Sequence, residues 1–286
     1  PKLKIVARGS TLKAFGEEVI LEEFEKRVDM LISHFGKYNQ LNEETIERII
    51  TASTLADFDP SSDKDNFILH GLGGKVIKAQ SYNQHLLVDA AKKNDMIFAI
   101  GPAGTGKTYT GVALAVRALK EKEVKRIILT RPAVEAGENL GFLPGDLKEK
   151  IDPYMQPLYD ALRDMIPQEK LNSHIENGTI QIAPLAFMRG RTLDNAFVIL
   201  DEGQNTTHAQ MKMFLTRMGR NAKFMVTGDP GQIDLPRSVI SGLKEALLIL
   251  KETQGIGIIT LDEKDVIRHS LVKKVIDAYK RIEHHN

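Results

Sequence analysis

The chain has 286 residues, of which 42% are hydrophobic and 27% charged, and this composition is typical of a globular protein with one large domain or with one large and one small domain. Its formal net charge of +1 neither favours nor excludes a nucleic-acid partner, because any basic surface must then be local. The absence of cysteine excludes disulfides and thiolate metal sites and fits the reducing cytoplasm, which is the expected location. No apolar run approaches the ~20 residues of a membrane span, so no membrane partner is expected. Because the sequence begins at Pro1 rather than Met, we expect residues upstream of it.

The N-terminal residues are predicted to form a small α+β unit. Two short strands, residues 3–8 and 11–15, flank a Gly-Ser pair as in a β-hairpin. Apolar residues at helical spacing from Phe24 to Phe35 predict a helix that Gly36 ends, and Asn42 is suited to cap a second helix. This order resembles part of a KH-like RNA-binding module, although no clear G-x-x-G loop is present. A packing or oligomerisation role is an equal alternative, because the unit is small for an independent core.

A polar, turn-rich segment from Asp57 to Asp65 is the best candidate for a linker. It predicts a division into a small N-terminal domain with its linker, residues 1–66, and a larger domain, residues 67–286. In the larger domain strands and helices alternate, which is typical of an α/β fold with a mainly parallel sheet. The predicted strands are residues 96–100, 126–130, 197–201, 223–227 and 256–261, and the last predicted helix is residues 266–282.

The segment Gly-Pro-Ala-Gly-Thr-Gly-Lys-Thr fits the phosphate-loop pattern G-x-x-x-x-G-K-[ST] at every fixed position. It lies between an apolar predicted strand and an Ala/Leu-rich predicted helix, as that motif requires, so a chance glycine-rich turn is a poor alternative. Backbone N–H groups of such a loop surround phosphates, and the helix N-terminus adds positive potential. We expect Lys107 to reach the β- and γ-phosphates and Thr108 to hold Mg²⁺. The predicted nucleotide-binding residues here are Gly101, Pro102, Ala103, Gly104, Thr105, Gly106, Lys107, Thr108 and Tyr109.

Two further motifs follow buried strands. The run Phe-Val-Ile-Leu ends in Asp201 and Glu202, and the carboxyl ends of parallel strands face the ligand crevice. We expect Asp201 to help hold Mg²⁺ through water and Glu202 to act as the general base. The run from Val226 to Gln232 places an amide where it can bond the γ-phosphate or the attacking water. An acidic strand end and a plain Gly-Asp-Pro-Gly turn are the alternative interpretations.

Together these motifs resemble one family. Residues 98–108, 130–138, 140–145, 201–205 and 265–269 look like the PhoH family of bacterial ATPases, and the resemblance covers residues ~80–286. The three nucleotide motifs also resemble motifs I, II and III of superfamily 1 helicases. The resemblance implies a single RecA-like domain with ATP and Mg²⁺ as ligands. The chain has glycine after the Asp-Glu pair where many members have alanine or another small residue, and we expect no chemical consequence.

The helicase resemblance implies a role for Gln84 in reading the adenine edge, although an ordinary amide at a helix start is an alternative. The absence of an Asn-Lys-x-Asp guanine motif supports the same preference for ATP over GTP.

The resemblance also implies an assembly. A superfamily 1 helicase has a second RecA-like domain that supplies arginines to the γ-phosphate, and this chain has room for only one. A neighbouring subunit of a head-to-tail oligomer, a hexamer in PhoH-like proteins, is then the natural source of an arginine finger. We expect Arg217 or Arg268 to be that finger, and Arg131 and Arg191 fit less well. A structural role is open for each of them.

The segment from Glu135 to Leu193 is a long insertion rich in glycine and proline. Within it Arg189 and Arg191 follow Phe187, a combination suited to single-stranded nucleic acid, since it offers phosphate neutralisation and base stacking. A loop packed between subunits is the alternative.

These observations favour an enzyme, an ATPase that couples hydrolysis to binding or unwinding RNA or single-stranded nucleic acid in an oligomeric ring. The resemblance also leaves room for a ribonuclease partner that acts in trans. A nucleotide-dependent assembly or signalling protein with little turnover, and a small-molecule kinase, are the alternatives.

Overall fold

The computed structural model describes residues 3–8, 11–38, 46, 50, 66–132, 147–236 and 238–266. The chain consists of two compact units, Pro1–Asp65 and Asn66–Asn286. This division falls one residue before the predicted boundary between residues 66 and 67.

The described part of the first unit is a hairpin and a helix. Strands β1 (Lys4–Arg8) and β2 (Thr11–Phe15) pair antiparallel, and helix α1 follows at Glu18–Tyr38. The prediction that Gly36 ends this helix is wrong, because a single glycine costs only about 1 kcal/mol in a helix and does not by itself break it. Asn42, the predicted cap of the next helix, lies outside the described residues.

The second unit contains an antiparallel strand pair and a larger parallel sheet. The pair is β3 (Phe67–His70) and β4 (Val76–Lys78). The large sheet has six strands in the order β10-β5-β9-β8-β6-β7, with every neighbouring pair parallel. This confirms the α/β fold class. The strands are β5 (Met96–Ile100), β6 (Arg126–Arg131), β7 (Ile180–Pro184), β8 (Ala196–Leu200), β9 (Lys223–Gly228) and β10 (Ile256–Thr260).

Helices cover both faces of this sheet, and two hydrophobic clusters fill the space between the layers. None of the helices in the described ranges combines the length and apolar composition needed to cross a bilayer. The predicted last helix, residues 266–282, falls almost wholly beyond the described residues. The helices are α2 (Tyr82–Lys93), α3 (Lys107–Lys120), α4 (Leu147–Met165), α5 (Gln168–Glu176), α6 (His208–Leu215) and α7 (Gly242–Leu250).

Helix α4 packs against α3 and buries Leu158 and Leu162 completely. On the polar side of α4, Asp160 and Asp164 border the same cavity as Ala103 and Gly104, which precede α3. Because the six strands are parallel, their carboxyl ends meet at one edge of the sheet, where Ile100 pairs with Gly228 and Thr130 pairs with Leu200. The residues that follow β5, β6, β8 and β9 are thereby brought together at this edge.

Candidate nucleotide-binding site

The loop between β5 and α3 has the backbone of a phosphate loop. Gly104 and Gly106 have φ values of 87° and 77°, in the left-handed region that favours glycine. A Cβ atom on Gly106 would come within 2.8 Å of the Gln84 amide nitrogen, so this position is also closed to larger residues by its neighbour. Helix α3 begins at Lys107, and the N–H groups of a first helical turn have no partner within the helix. These donors and the helix dipole form an anion site.

Lys107 lies folded against this loop. Its Nζ donates to the carbonyl oxygens of Gly101 at 2.6 Å and Pro102 at 2.8 Å, and the residue is 8% exposed. Burial lowers the pKa of the Lys107 amine, while the nearby carboxylates of Asp229, Glu202 and Asp201 oppose that shift. The ammonium group is thus held at the mouth of the loop by bonds that a phosphate oxygen can replace.

Asp201 is the centre of the site, directly after β8, and it is 2% exposed. Its Oδ1 accepts hydrogen bonds from the Thr108 hydroxyl at 2.6 Å and the Thr227 hydroxyl at 2.5 Å. Its Oδ2 accepts two from the Arg131 guanidinium, one of them from Nε at 2.7 Å. The predicted metal-holding pair, Thr108 and Asp201, is therefore in direct contact. Hydroxyl and carboxylate oxygens are ligands that suit Mg²⁺.

Arg131, at the end of β6, connects several parts of the site. Besides Asp201, its guanidinium donates to the Tyr154 carbonyl of α4 at 2.8 Å and lies 3.9 Å from a Glu202 carboxylate oxygen. From the sequence, Arg131 is one of the weaker candidates for a finger that acts on another subunit. In the structure its guanidinium binds the acidic centre of its own chain.

Glu202 has a φ of 56°, a left-handed conformation that costs a non-glycine residue roughly 1–2 kcal/mol. Its side chain is about half exposed, and its Oε2 accepts a 2.6 Å hydrogen bond from the Gln204 amide. The other end of that amide accepts from the backbone N–H of Asp229 at 3.1 Å, and Gln204 is 2% exposed. Gln204 therefore fixes both the predicted general base and the turn after β9. Gln204 lies within the 201–205 motif, but the sequence alone does not predict this role for it.

Gln232 lies at the exposed end of that turn, where its N–H donates to the Asp229 carbonyl at 3.0 Å. It borders a cleft of about 540 Å³ at the carboxyl edge of the sheet. The cleft brings together the predicted Lys107, Thr108, Asp201, Glu202 and Gln232. Its other lining residues come from the phosphate loop, the first turn of α3, the end of β6, α4 and the end of β9 with the turn that follows: Ala103, Gly104, Gly106, Tyr109, Arg131, Pro157, Asp160, Ala161, Asp164, Gly228 and Asp229.

Gln84 binds the backbone of the phosphate loop. Its amide nitrogen donates to the Thr105 carbonyl at 2.8 Å, its amide oxygen accepts from the Gln80 N–H at 2.8 Å, and it is 2% exposed. Both ends of the amide are thus used on backbone groups. An adenine contact through this residue stays a prediction, and the contacts themselves describe a residue that positions the phosphate loop.

Arg217 lies away from the cleft of its own chain. Its guanidinium donates to the carbonyls of Met213 at 3.1 Å and Arg191 at 3.3 Å. The neighbouring bridge between Leu193 and Met218 precedes β8 and β9, so it lies at the amino edge of the sheet, opposite the phosphate loop. A role for Arg217 in hydrolysis would therefore have to be on another subunit. Arg268 lies outside the described residues.

The predicted nucleic-acid residues follow β7. Phe187 is 54% exposed, which excludes a place in the core of this chain. Arg189 is exposed, whereas Arg191 is half-buried and donates to the Gln181 side chain at 2.7 Å. Of the two arginines, Arg189 is thus the one presented to solvent.

Known proteins of one family are similar to this chain over most of its length. The family model described as PhoH-like protein matches residues 76–280. A PhoH-like protein of Bacillus subtilis is 49% identical over 282 residues, 98% of this chain and 88% of the relative. Protein PhoH of Escherichia coli is 47% identical over 205 residues, 71% of this chain and 58% of the relative. The Pif1 helicase of Candida albicans superposes over 69% of this chain and 42% of its own with 17% identity and a TM-score of 0.38, too weak a likeness to add to the sheet order. The chain belongs to the PhoH family.

Proposed function

We propose that this protein binds ATP with Mg²⁺ and hydrolyses it. The observation that carries the proposal is the hydrogen bond from Thr108 to Asp201, 2.6 Å long. It joins the end of the phosphate loop to the buried acidic end of β8, the arrangement in which a hydroxyl and a carboxylate share a divalent cation beside a triphosphate. Family membership supports the same assignment.

The residues around this bond have separable roles. Backbone N–H groups from Gly104 to Thr108 would hold phosphate oxygens, and Lys107 would exchange its two carbonyl acceptors for the β- and γ-phosphates. Thr108 and Asp201 would hold the magnesium ion, which neutralises charge on the phosphates. Glu202, the next residue, would accept a proton from the attacking water. Gln232, which also borders the cleft, would orient that water or contact the terminal phosphate.

Hydrolysis would be coupled to RNA or single-stranded nucleic acid. The support is that Phe187 and, two residues later in the chain, Arg189 are both exposed, since aromatic rings bind bases by stacking and arginines bind phosphates by charge. An oligomeric ring, a hexamer in this proposal, would supply the missing arginine in trans from Arg217 or Arg268. A cytoplasmic location and a ribonuclease partner complete the proposal.

Phosphate release from ATP is the test, measured with and without Mg²⁺ and with and without single-stranded RNA. Release that needs Mg²⁺, disappears in Lys107→Ala and rises with RNA would support both the ATPase and its coupling to RNA. Release that RNA leaves unchanged would retain the ATPase and remove the coupling. Binding of ATP without release would indicate an assembly or signalling protein, and transfer of the phosphate to a small molecule instead of water would indicate a kinase.

A further inference from the structure

A second cavity, of about 350 Å³, shares part of its lining with the nucleotide cleft. The first cavity contains the phosphate loop and the acidic end of β8. The second lies between the β3–β4 pair and α2, and its walls include Val76, Gln80 and Gln84. Four residues border both cavities and so define the junction between them: Gly104, Gly106, Tyr109 and Asp164.

The covalent order of a nucleotide indicates which of its parts would lie at this junction. This step rests on the proposed function. A nucleoside triphosphate is linked in the order phosphates, sugar, base. With the phosphates in the first cavity and the base in the second, the sugar has to pass the junction. Glycines offer only backbone there, and Tyr109 offers a ring and a hydroxyl. Asp164 is the junction residue with a carboxylate, the group that accepts hydrogen bonds from ribose hydroxyls in other nucleotide sites.

Asp164 is held in place by two other elements. Its Oδ2 accepts a 3.1 Å hydrogen bond from the ammonium group of Lys75, which lies just before β4. It accepts a second, of 3.2 Å, from the hydroxyl of Tyr109, which lies in the first turn of α3. The hydrogen bond to Asp164 raises the pKa of Lys75, and burial raises the pKa of Tyr109, so both remain donors at neutral pH. The Asp164 side chain is still 47% exposed, which leaves it accessible to a ligand in the cleft.

We propose that Asp164 accepts a hydrogen bond from the sugar hydroxyls of the bound nucleotide and thereby makes the site prefer ribonucleotides to deoxyribonucleotides. A site that is built to bond a hydroxyl rejects the analogue that lacks it. The preference is strongest where the partner is buried, and Asp164 is half exposed. A preference of about tenfold is therefore expected, the lower end for a hydrogen bond to a charged group.

Titration calorimetry with ATP, 2′-deoxy-ATP and 3′-deoxy-ATP, all with Mg²⁺, tests this without relying on turnover. The wild type should bind ATP about tenfold more tightly than at least one deoxynucleotide, and Asp164→Ala should reduce that ratio to less than about twofold. The matched control is Asp160→Ala, one helical turn earlier on α4, which borders only the first cavity and bonds Gln156 and Arg163. It should keep the full ratio.

Two further variants, Tyr109→Phe and Asp164→Asn, distinguish the role of the Asp164 carboxylate from that of the Tyr109 hydroxyl that donates to it. Tyr109→Phe keeps the carboxylate and should retain the preference for ATP over the deoxynucleotides. Asp164→Asn removes the charge of the side chain without changing its size and should weaken that preference. Equal wild-type affinity for all three nucleotides would overturn the inference, as would an undiminished preference in folded Asp164→Ala or Asp164→Asn. A wild-type protein that binds no nucleotide would refute the proposed function instead.

Discussion

Gln204 offers the sharpest test of how the acidic motif works, because one buried amide joins the predicted general base to the turn that follows β9. Replacement by leucine keeps the size and removes both hydrogen bonds, 2.6 Å to Glu202 and 3.1 Å from the Asp229 N–H. A hydrogen bond to an ionised group contributes about 1.5–3 kcal/mol, and the half-exposed Glu202 carboxylate lowers that to roughly 1–1.5 kcal/mol after screening. If orientation of Glu202 is what is lost, the expected fall in kcat is about tenfold.

Steady-state hydrolysis by the wild type, Gln204→Leu, Glu202→Gln and the double variant measures this. Glu202→Gln should bind ATP with Mg²⁺ and lower kcat by ~100-fold or more, as expected for loss of a positioned base. Because Gln204 would act through Glu202, adding Gln204→Leu to that background should change kcat by less than about twofold. A full tenfold effect of Gln204→Leu in the double variant would refute this reasoning and assign Gln204 to another step. Unfolding of each variant by denaturant gives the control for stability.

Three further expectations concern the rest of the site. Lys107→Ala should lose nucleotide affinity and hydrolysis together, because this lysine contacts ground-state phosphates as well as the transition state; unchanged turnover would refute the phosphate-loop assignment. At least one of the variants Arg217→Ala and Arg268→Ala should bind ATP, assemble and fail to hydrolyse it. Mixing that variant with Lys107→Ala subunits should restore some activity, and no recovery in confirmed mixed assemblies would argue against a finger in trans. Phe187→Ala should weaken RNA binding by roughly 1–3 kcal/mol with little loss of thermal stability. Arg189→Ala should flatten the salt dependence of RNA binding. Unchanged RNA affinity in both variants would show that RNA does not bind at this surface.

The parts of the fold that the sequence predicts are those encoded within a few consecutive residues. The apolar runs at Met96–Ile100 and Ala196–Leu200 are buried, apart from the half-buried Met96, and form strands as predicted, within one residue at each end. The phosphate loop is equally local, since its glycines, lysine and threonine each serve the same short stretch of backbone. The meeting of Thr108 with Asp201 also follows from the sequence, because both come after parallel strands and share one edge of the sheet.

The parts that it does not predict depend on distant partners. The sequence does not predict strand β7, which lies within the predicted insertion. Its five residues, Ile180–Pro184, include only two β-branched residues, and its place is set by pairing with β6. Helix α4 lies in the same segment, and its role as a wall of the cleft comes from packing on α3. The contacts of Gln84 also depend on distant partners. The helicase resemblance implies an amide near the nucleotide, but the sequence does not show that the Thr105 carbonyl and the Gln80 N–H use both ends of that amide.

Arg131 shows why the difference between locally encoded features and contacts with distant residues matters for experiments. An arginine near a phosphate loop suggests a finger, but the structure pairs this one with Asp201, which is 2% exposed, while the arginine side chain is 15% exposed. Removing one partner of a buried pair leaves an uncompensated charge and typically costs about 3–5 kcal/mol. We therefore expect Arg131→Ala to lower the free energy of unfolding by an amount near that range even without nucleotide. Denaturant unfolding measures the loss, with exposed Arg189→Ala as the control. An unchanged unfolding free energy would show that Asp201 does not need this partner, whereas a large loss would mean that inactive Arg131→Ala protein says nothing about a finger.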